Sequence, residues 1–401
     1  MSTTVRAALA VLLTATVLAA APTAFADEPA GDRGTAGVQS VLDRAVSEAG
    51  LPGAMAEVRD GDAVWFGQAG TADLTTGRAL TPQDRFRIGS TTKTFVATVI
   101  LQLEAEHRLG LDDSVEQWLP GLVDGNGYDG SRITIRQLLN HTSGIYNIAM
   151  TQLAADDFVG PPFLQHRFDS FTPRQLVEIA LANKPKFAPG TGWDYSDTNY
   201  VLAGMIAERA GGRSLAQQIA QRISKPLHLK STYEPTGDDP DIHGPHGRFY
   251  SKLMVPGDAT PFYDVTRLNP SFGFGSGDMV SDNGDLATFV RALLQGRLLP
   301  PAQQREMFTV LDPQGGWIDT SHYGLGVASL DLSCGTVWGM GGAIDGSWSY
   351  TFGTRDGRRI LSTEVNGDWA NGSWTWPIGV FTAELEAAFC PPAAAATTTS
   401  R

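Results

Sequence analysis

The chain has 401 residues, a formal charge of −13 and two cysteines. That acidity opposes binding to nucleic acid or to an anionic membrane surface through bulk charge. Two cysteines cannot build a thiolate zinc site and no histidine cluster has ligand spacing, so neither metal nor cofactor is expected.

Residues 1–26 read as a signal peptide. Arg6 is followed by an apolar run from Ala7 to Ala21, and Ala24-Phe25-Ala26 is a small-x-small cleavage site. Such a run is too short to span a bilayer and is removed on export. The expected product is secreted, free of the membrane, and one charge more acidic once Arg6 is gone. Asp27 to Gly37 reads as a polar, disordered leader, and residues 391–401 as a disordered tail with nothing to bury. About 350 residues remain to fold, which suits two lobes. In an exported chain the pair Cys334 and Cys390 is expected as one disulfide, tying a late strand to the last helix.

In chain order, Val38 to Ala49 has apolar residues at helical spacing. Ala54–Val58 and Ala63–Gly67 are strand-like around the turn Asp60-Gly61-Asp62. A long helix follows from about Ser90 to His107, and its interior is apolar on most sides, which marks a buried helix. Residues 112–269 are mostly helical, with candidates at Ile135–Leu139, Pro173–Ala182, Asn199–Ala210 and Leu215–Ile223. Strand signals return at Gly324–Leu330, Thr336–Gly339, Trp348–Thr354 and Arg359–Val365, and Phe381 to Phe389 closes as a helix. The expected class is α+β: an antiparallel sheet built from both chain ends (38–111 and 270–390), flanked by helices, with a mostly helical lobe (112–269) inserted. A cleft between such lobes is a common place for a site.

Ser90-Thr91-Thr92-Lys93 is the sharpest chemical signal. Residues three apart share a helix face, so the hydroxyl and the amine can meet. A serine at a helix N-terminus sits where backbone N–H groups favour developing negative charge. It needs an adjacent base, and a buried lysine with a lowered pKa can serve. Lysine is scarce here, six of 30 basic residues, and no other has serine three positions before it.

Around this tetrad, Phe86-Arg87-Ile88-Gly89-Ser90-Thr91-Thr92-Lys93, Leu138-Leu139-Asn140-His141-Thr142-Ser143-Gly144, Phe187-Ala188-Pro189-Gly190, Trp193 to Tyr200, Phe274 to Ser281 and Tyr323-Gly324-Leu325-Gly326 resemble, in order, the penicillin-recognising serine hydrolases. The nearest branch holds soluble DD-carboxypeptidases, class C β-lactamases and related esterases, and the likeness implies their β-lactamase/transpeptidase-like fold. It implies Ser90 as nucleophile, with Lys93 and Tyr195 sharing the proton traffic. It also implies the N–H groups of Ser90 and Ala343 as the oxyanion hole, typically worth roughly 3–4 kcal/mol per donor. His141 is read as structural, and Trp193 as either lining the cleft or packing.

Two departures stand out. Asp197 replaces the usual Asn of the second motif. Met340, ahead of Gly341-Gly342, replaces the usual Lys or His of the third. Both weaken recognition of a substrate carboxylate, and Asp197 would raise the lysine pKa. The expectation is an acyl-enzyme hydrolase of the D-alanyl-D-alanine carboxypeptidase kind, with a carboxylesterase or β-lactamase, or a non-catalytic penicillin- or cell-wall-binding protein, as alternatives. Its partners would be a peptidoglycan stem peptide or a small ester or amide, with β-lactams as acylating ligands.

Overall fold

The computed structural model describes residues 30–391 apart from 256, 258–259, 314–319 and 375. The expected signal peptide and the tail from 392 lie outside the described residues.

The first helix, α1 (Ala30–Ser47), begins well before Val38. The leader expected over Asp27 to Gly37 is therefore helical from Ala30. Its small residues explain this: Gly34 and Gly37 lie against Ala387 and Ala388, where larger side chains would not fit. Next come β1 (Gly53–Asp60) and β2 (Ala63–Gly70), then α2 (Thr92–Ala105). The middle of the chain carries α3 (Ile135–Leu139), α4 (Pro173–Leu181), α5 (Asp197–Gly211) and α6 (Leu215–Ile219), joined by short helical turns and loops. The last third supplies α7 (Asn283–Leu294), β3 (Ser321–Tyr323), β4 (Ala328–Leu332), β5 (Gly335–Ile344), β6 (Ser347–Gly353), β7 (Arg359–Val365) and α8 (Trp376–Phe389).

Among the described residues, seven of these strands form one antiparallel sheet in the order β2-β1-β7-β6-β5-β4-β3. The first and last thirds of the chain thus meet at the β1–β7 pair, where Ala54 faces Val365 and Val58 faces Leu361. The period-2 pattern sorts the two faces. Ala54, Ala56, Val58, Leu361 and Val365 join Val38 and Leu42 of α1 and Phe381 and Leu385 of α8 in one core. Met55 and Ile360 turn to the other core, with α2 and α7. Helices cover both faces, so β1 is buried over most of its length.

Phe95 of α2 stacks on Phe289 of α7 with ring centroids 3.7 Å apart. Residues 92–101 of α2 are all buried, as its all-round apolar sequence implied. The disulfide Cys334–Cys390 joins the β4–β5 hairpin to the end of α8, with Cα atoms 5.5 Å apart.

Candidate active site

Ser90 lies in the 3₁₀ turn Gly89–Thr91 that leads into α2. The turn is fixed from two sides. Phe86–Arg87 pairs with Val280–Ser281 before it, and β5 presses against it. Gly89 has φ +47°, and a Cβ there would sit 2.5 Å from the backbone nitrogen of Ala343. A Cβ on Gly342 would overlap the carbonyl of Ile88. Glycine at both places lets the turn and the strand approach backbone to backbone. This brings the main chain of Ala343 beside Ser90, and both residues line one cavity.

Lys93 follows one turn later and is 0 % exposed. Its Nζ donates to Ser90 Oγ at 3.0 Å, to Asp197 Oδ1 at 2.6 Å and to the carbonyl of Ser276 at 2.7 Å. Asp197 opens α5, which packs against α2, so two helix N-termini bring acid and amine together. Burial pushes the lysine below its usual range; the negative charge of Asp197, and more weakly that of Asp278, opposes the fall.

Tyr195 precedes Asp197 by two residues, and its ring centroid is 4.8 Å from Lys93 Nζ. Burial, helped by the charge of Asp197, holds its phenol well above the ordinary tyrosine range, while a hydrogen bond with Ser90 opposes this. The hydroxyl is therefore a proton donor at neutral pH.

His141 is the scaffold of this loop. It has φ +63° and is fully buried. Its Nδ1 accepts from the Ser196 backbone at 3.2 Å and from Asn199 at 3.3 Å, which leaves the proton on Nε2, 3.2 Å from the Tyr323 hydroxyl. Burial and the nearby Lys93 charge keep the ring neutral. Both nitrogens are thus occupied in holding Ser196, Asn199 and Tyr323.

The cavity at Ser90 measures about 180 Å³. Asp197, Ser276, Ala343 and Asp345 line it, with an apolar wall of Ile148, Phe158, Phe163, Leu268 and Phe272. Met340, Gly341, Gly342 and Trp193, expected to meet substrate, are not part of its lining. Met340 is 1 % exposed, packed in the hydrophobic core. Gly342 packs on the serine turn, and Trp193 packs edge-on to His141 with ring centroids 5.8 Å apart. Met340 and Gly342 are buried, while Trp193 and Gly341 are partly exposed.

The apolar wall was missed in the sequence, and so were polar lining residues that include Ser276, Arg167 and Asp345. Ser276 contributes a carbonyl, which residue type does not reveal. Arg167 reaches the cavity from the loop after Phe163, and its Nη1 donates to the carbonyl of Asp264 at 2.9 Å. Asp345 lies in the two-residue turn Asp345-Gly346 between Ile344 of β5 and Ser347 of β6; the Asp-Gly pair marks a hairpin in the sequence but not the direction of its carboxyl. Its Oδ1 is out of solvent without a hydrogen-bond partner. Burial, with the charge of Asp368 behind it, pushes its carboxyl up to about 7. Among the described residues no group of three His, Cys, Asp or Glu side chains could hold a metal ion.

A serine hydroxyl 3.0 Å from a buried amine, with a phenol beside it, is an arrangement suited to a serine hydrolase. Residues 38–368 match the family described as Beta-lactamase, and the chain belongs to that family. It is 47 % identical to the D-stereospecific amidohydrolase from Streptomyces sp., with a TM-score of 0.81 over 89 % of this chain and 99 % of that one. The D-amino acid amidase from Ochrobactrum anthropi SV3, complexed with L-phenylalanine amide, is 25 % identical, with a TM-score of 0.74 over 88 % and 98 %. Penicillin-binding protein 4* of Bacillus subtilis (strain 168) is 30 % identical over 68 % of this chain; the match spans 58 % of that protein's length. The α+β class and the family resemblance read from the sequence both hold.

Proposed function

We propose that this chain is a serine amidohydrolase for small amides and esters of amino acids that carry a free ammonium group, with a preference for the D configuration. The observation that carries the reading is Asp345: a carboxyl with an unpartnered oxygen in the wall of the Ser90 cavity. An ammonium there would supply the missing partner and draw the carboxyl into its ionised form. The phenylalanine wall suits an aromatic or aliphatic side chain. At about 180 Å³ the cavity is smaller than the ~300 Å³ and upward of drug-sized pockets, which suits one residue better than a long stem peptide. The 47 % identical amidohydrolase, named for D-stereospecificity, supports the choice of hand.

In the proposed cycle neutral Lys93 takes the proton of Ser90 as Oγ attacks the carbonyl. The N–H groups of Ser90 and Ala343 hold the oxyanion. Tyr195 protonates the leaving amine and is reprotonated by the Lys93 ammonium. Water then releases the acyl group by the same proton path in reverse. The disulfide supports an oxidising compartment, and we place the enzyme outside the cytoplasm.

The test is kcat/KM for D-phenylalanine amide, its L enantiomer and the N-acetyl-D amide. A D substrate preferred over both others supports the reading, and an acetylated amide turned over as fast as the free amine sinks it. A second reading, D-alanyl-D-alanine carboxypeptidase, is favoured by Arg167, a guanidinium on the cavity wall that could meet a terminal carboxylate. A D-Ala-D-Ala peptide cleaved far faster than D-phenylalanine amide would select it. Stable penicillin labelling of Ser90 without turnover of any substrate would select the non-catalytic binding protein.

A further inference from the structure

A second cavity, of about 560 Å³, is larger than the one at Ser90 and shares with it the wall residue Pro270. Its lining includes Phe171, Pro173 and Phe274, which are apolar, and four acids, Glu208, Glu234, Asp238 and Asp278, of which Glu234 and Asp278 are buried. These two are more than nine-tenths buried, at 6 % and 4 % exposure. Glu234 Oε2 and Asp278 Oδ1 have no hydrogen-bond partner. Removing a carboxyl from water without a partner costs roughly 1–3 kcal/mol even when it is neutral. Among the described residues no ion pair offsets this at Glu234, whose charged neighbours, Asp278 and Glu208, are both acidic.

We propose that this cavity is a binding site, separate from the Ser90 site, for an organic cation: an ammonium or amidinium group seated on Glu234 and Asp278, with an apolar body against Phe171 and Phe274. The chemistry argues for an organic cation over a metal ion. Among the described residues no group of three His, Cys, Asp or Glu side chains could hold a metal ion, whereas Phe171 and Phe274 offer a surface for an apolar body.

The ionisation of the pair supports the same reading. Burial pushes Asp278 up to about 8 against backbone hydrogen bonds from Asp278 and Gly275 and the charges of Lys93 and Arg87, and burial, with Asp278 and Glu208 nearby, holds Glu234 well above the carboxylate range. Near neutral pH the two acids are thus largely protonated. A bound cation favours the ionised form, so binding releases a proton and tightens as pH rises toward about 8.

The experiment is calorimetric titration with benzylammonium of the Asp345→Asn protein, in which the acid at the other cavity has been neutralised. Saturable binding is expected, with an observed heat that changes with the ionisation enthalpy of the buffer. Glu234→Gln and, independently, Ala216→Phe, which fills the cavity without touching a charge, should each weaken it roughly tenfold. Both variants should keep their thermal melt and their hydrolysis of a neutral p-nitrophenyl ester, which shows that they fold. No saturable binding, or an affinity that survives both substitutions in folded protein, overturns the proposal.

Discussion

Lys93 and Glu234 are both ionisable and both withdrawn from water, yet their surroundings are opposite. Lys93 has three acceptors within 3.0 Å, one of them the nucleophile proposed here and one a carboxylate. Glu234 has an unpartnered oxygen and only acids as charged neighbours. Burial opposes charge on each, but only the lysine is compensated by the protein itself. The difference separates two uses of a buried charge. A fully partnered group has its chemistry built in, whereas an unpartnered one leaves the last interaction to something from outside.

The most severe way to break the comparison is Ser90→Ala, which removes the hydroxyl that the Lys93 network surrounds. A loss of about 10⁴-fold or more in kcat is expected on amide and ester alike, together with loss of any penicillin adduct by intact mass. Asp345→Asn sharpens it, because this acid has an unpartnered oxygen as Glu234 does but lies in the Ser90 cavity. Its kcat/KM for D-phenylalanine amide should fall roughly 10–100-fold, with the N-acetyl amide little changed. In the parent protein KM for the free amine should fall as pH rises through about 7, where Asp345 ionises.

Asp197→Asn tests the compensation itself. The Asp197 charge raises the lysine pKa, so its removal should move the acidic limb of kcat/KM to lower pH; a limb that moves upward contradicts the assignment of Lys93 as base. The smallest effect is expected at Glu384, a fully buried acid of α8 that burial pushes up to about 8. Its folded value lies above the unfolded one, so the native state holds a proton that the unfolded chain has lost. Stability should therefore decline as pH rises from about 4.5 to about 8. Glu384→Gln should flatten that decline in melting temperature.

Much of this was legible in the sequence because it is local. Ser90 and Lys93 share one turn, α3 and β7 follow their own periodicity, and two cysteines have one simple pairing. What was not legible depends on tertiary approach. Met340 was read as a wall position from its place before Gly341-Gly342, but it lies in the core. The strand continues from Gly335 to Ile344, and its end at Ala343 faces the cavity. The α1 start was missed because Ala30 to Gly37 has no apolar stripe; that segment is helical because it packs on α8. Glu234 lies in no motif, Asp278 lies in the Phe274–Ser281 segment with no role read for it, and the two become a pair only when the fold juxtaposes them.

The packing of α1 on α8 has a practical consequence. Gly34 lies against the backbone of Ala388, so the first and last described helices meet at their outer ends, on the sheet face opposite α2 and α7. A short linker joining these ends, with new termini opened at a surface loop, would make a circular permutant whose catalytic groove is undisturbed. A solid support or fusion partner attached at either end would likewise project from the back of the sheet and leave the mouth of the groove open to solvent.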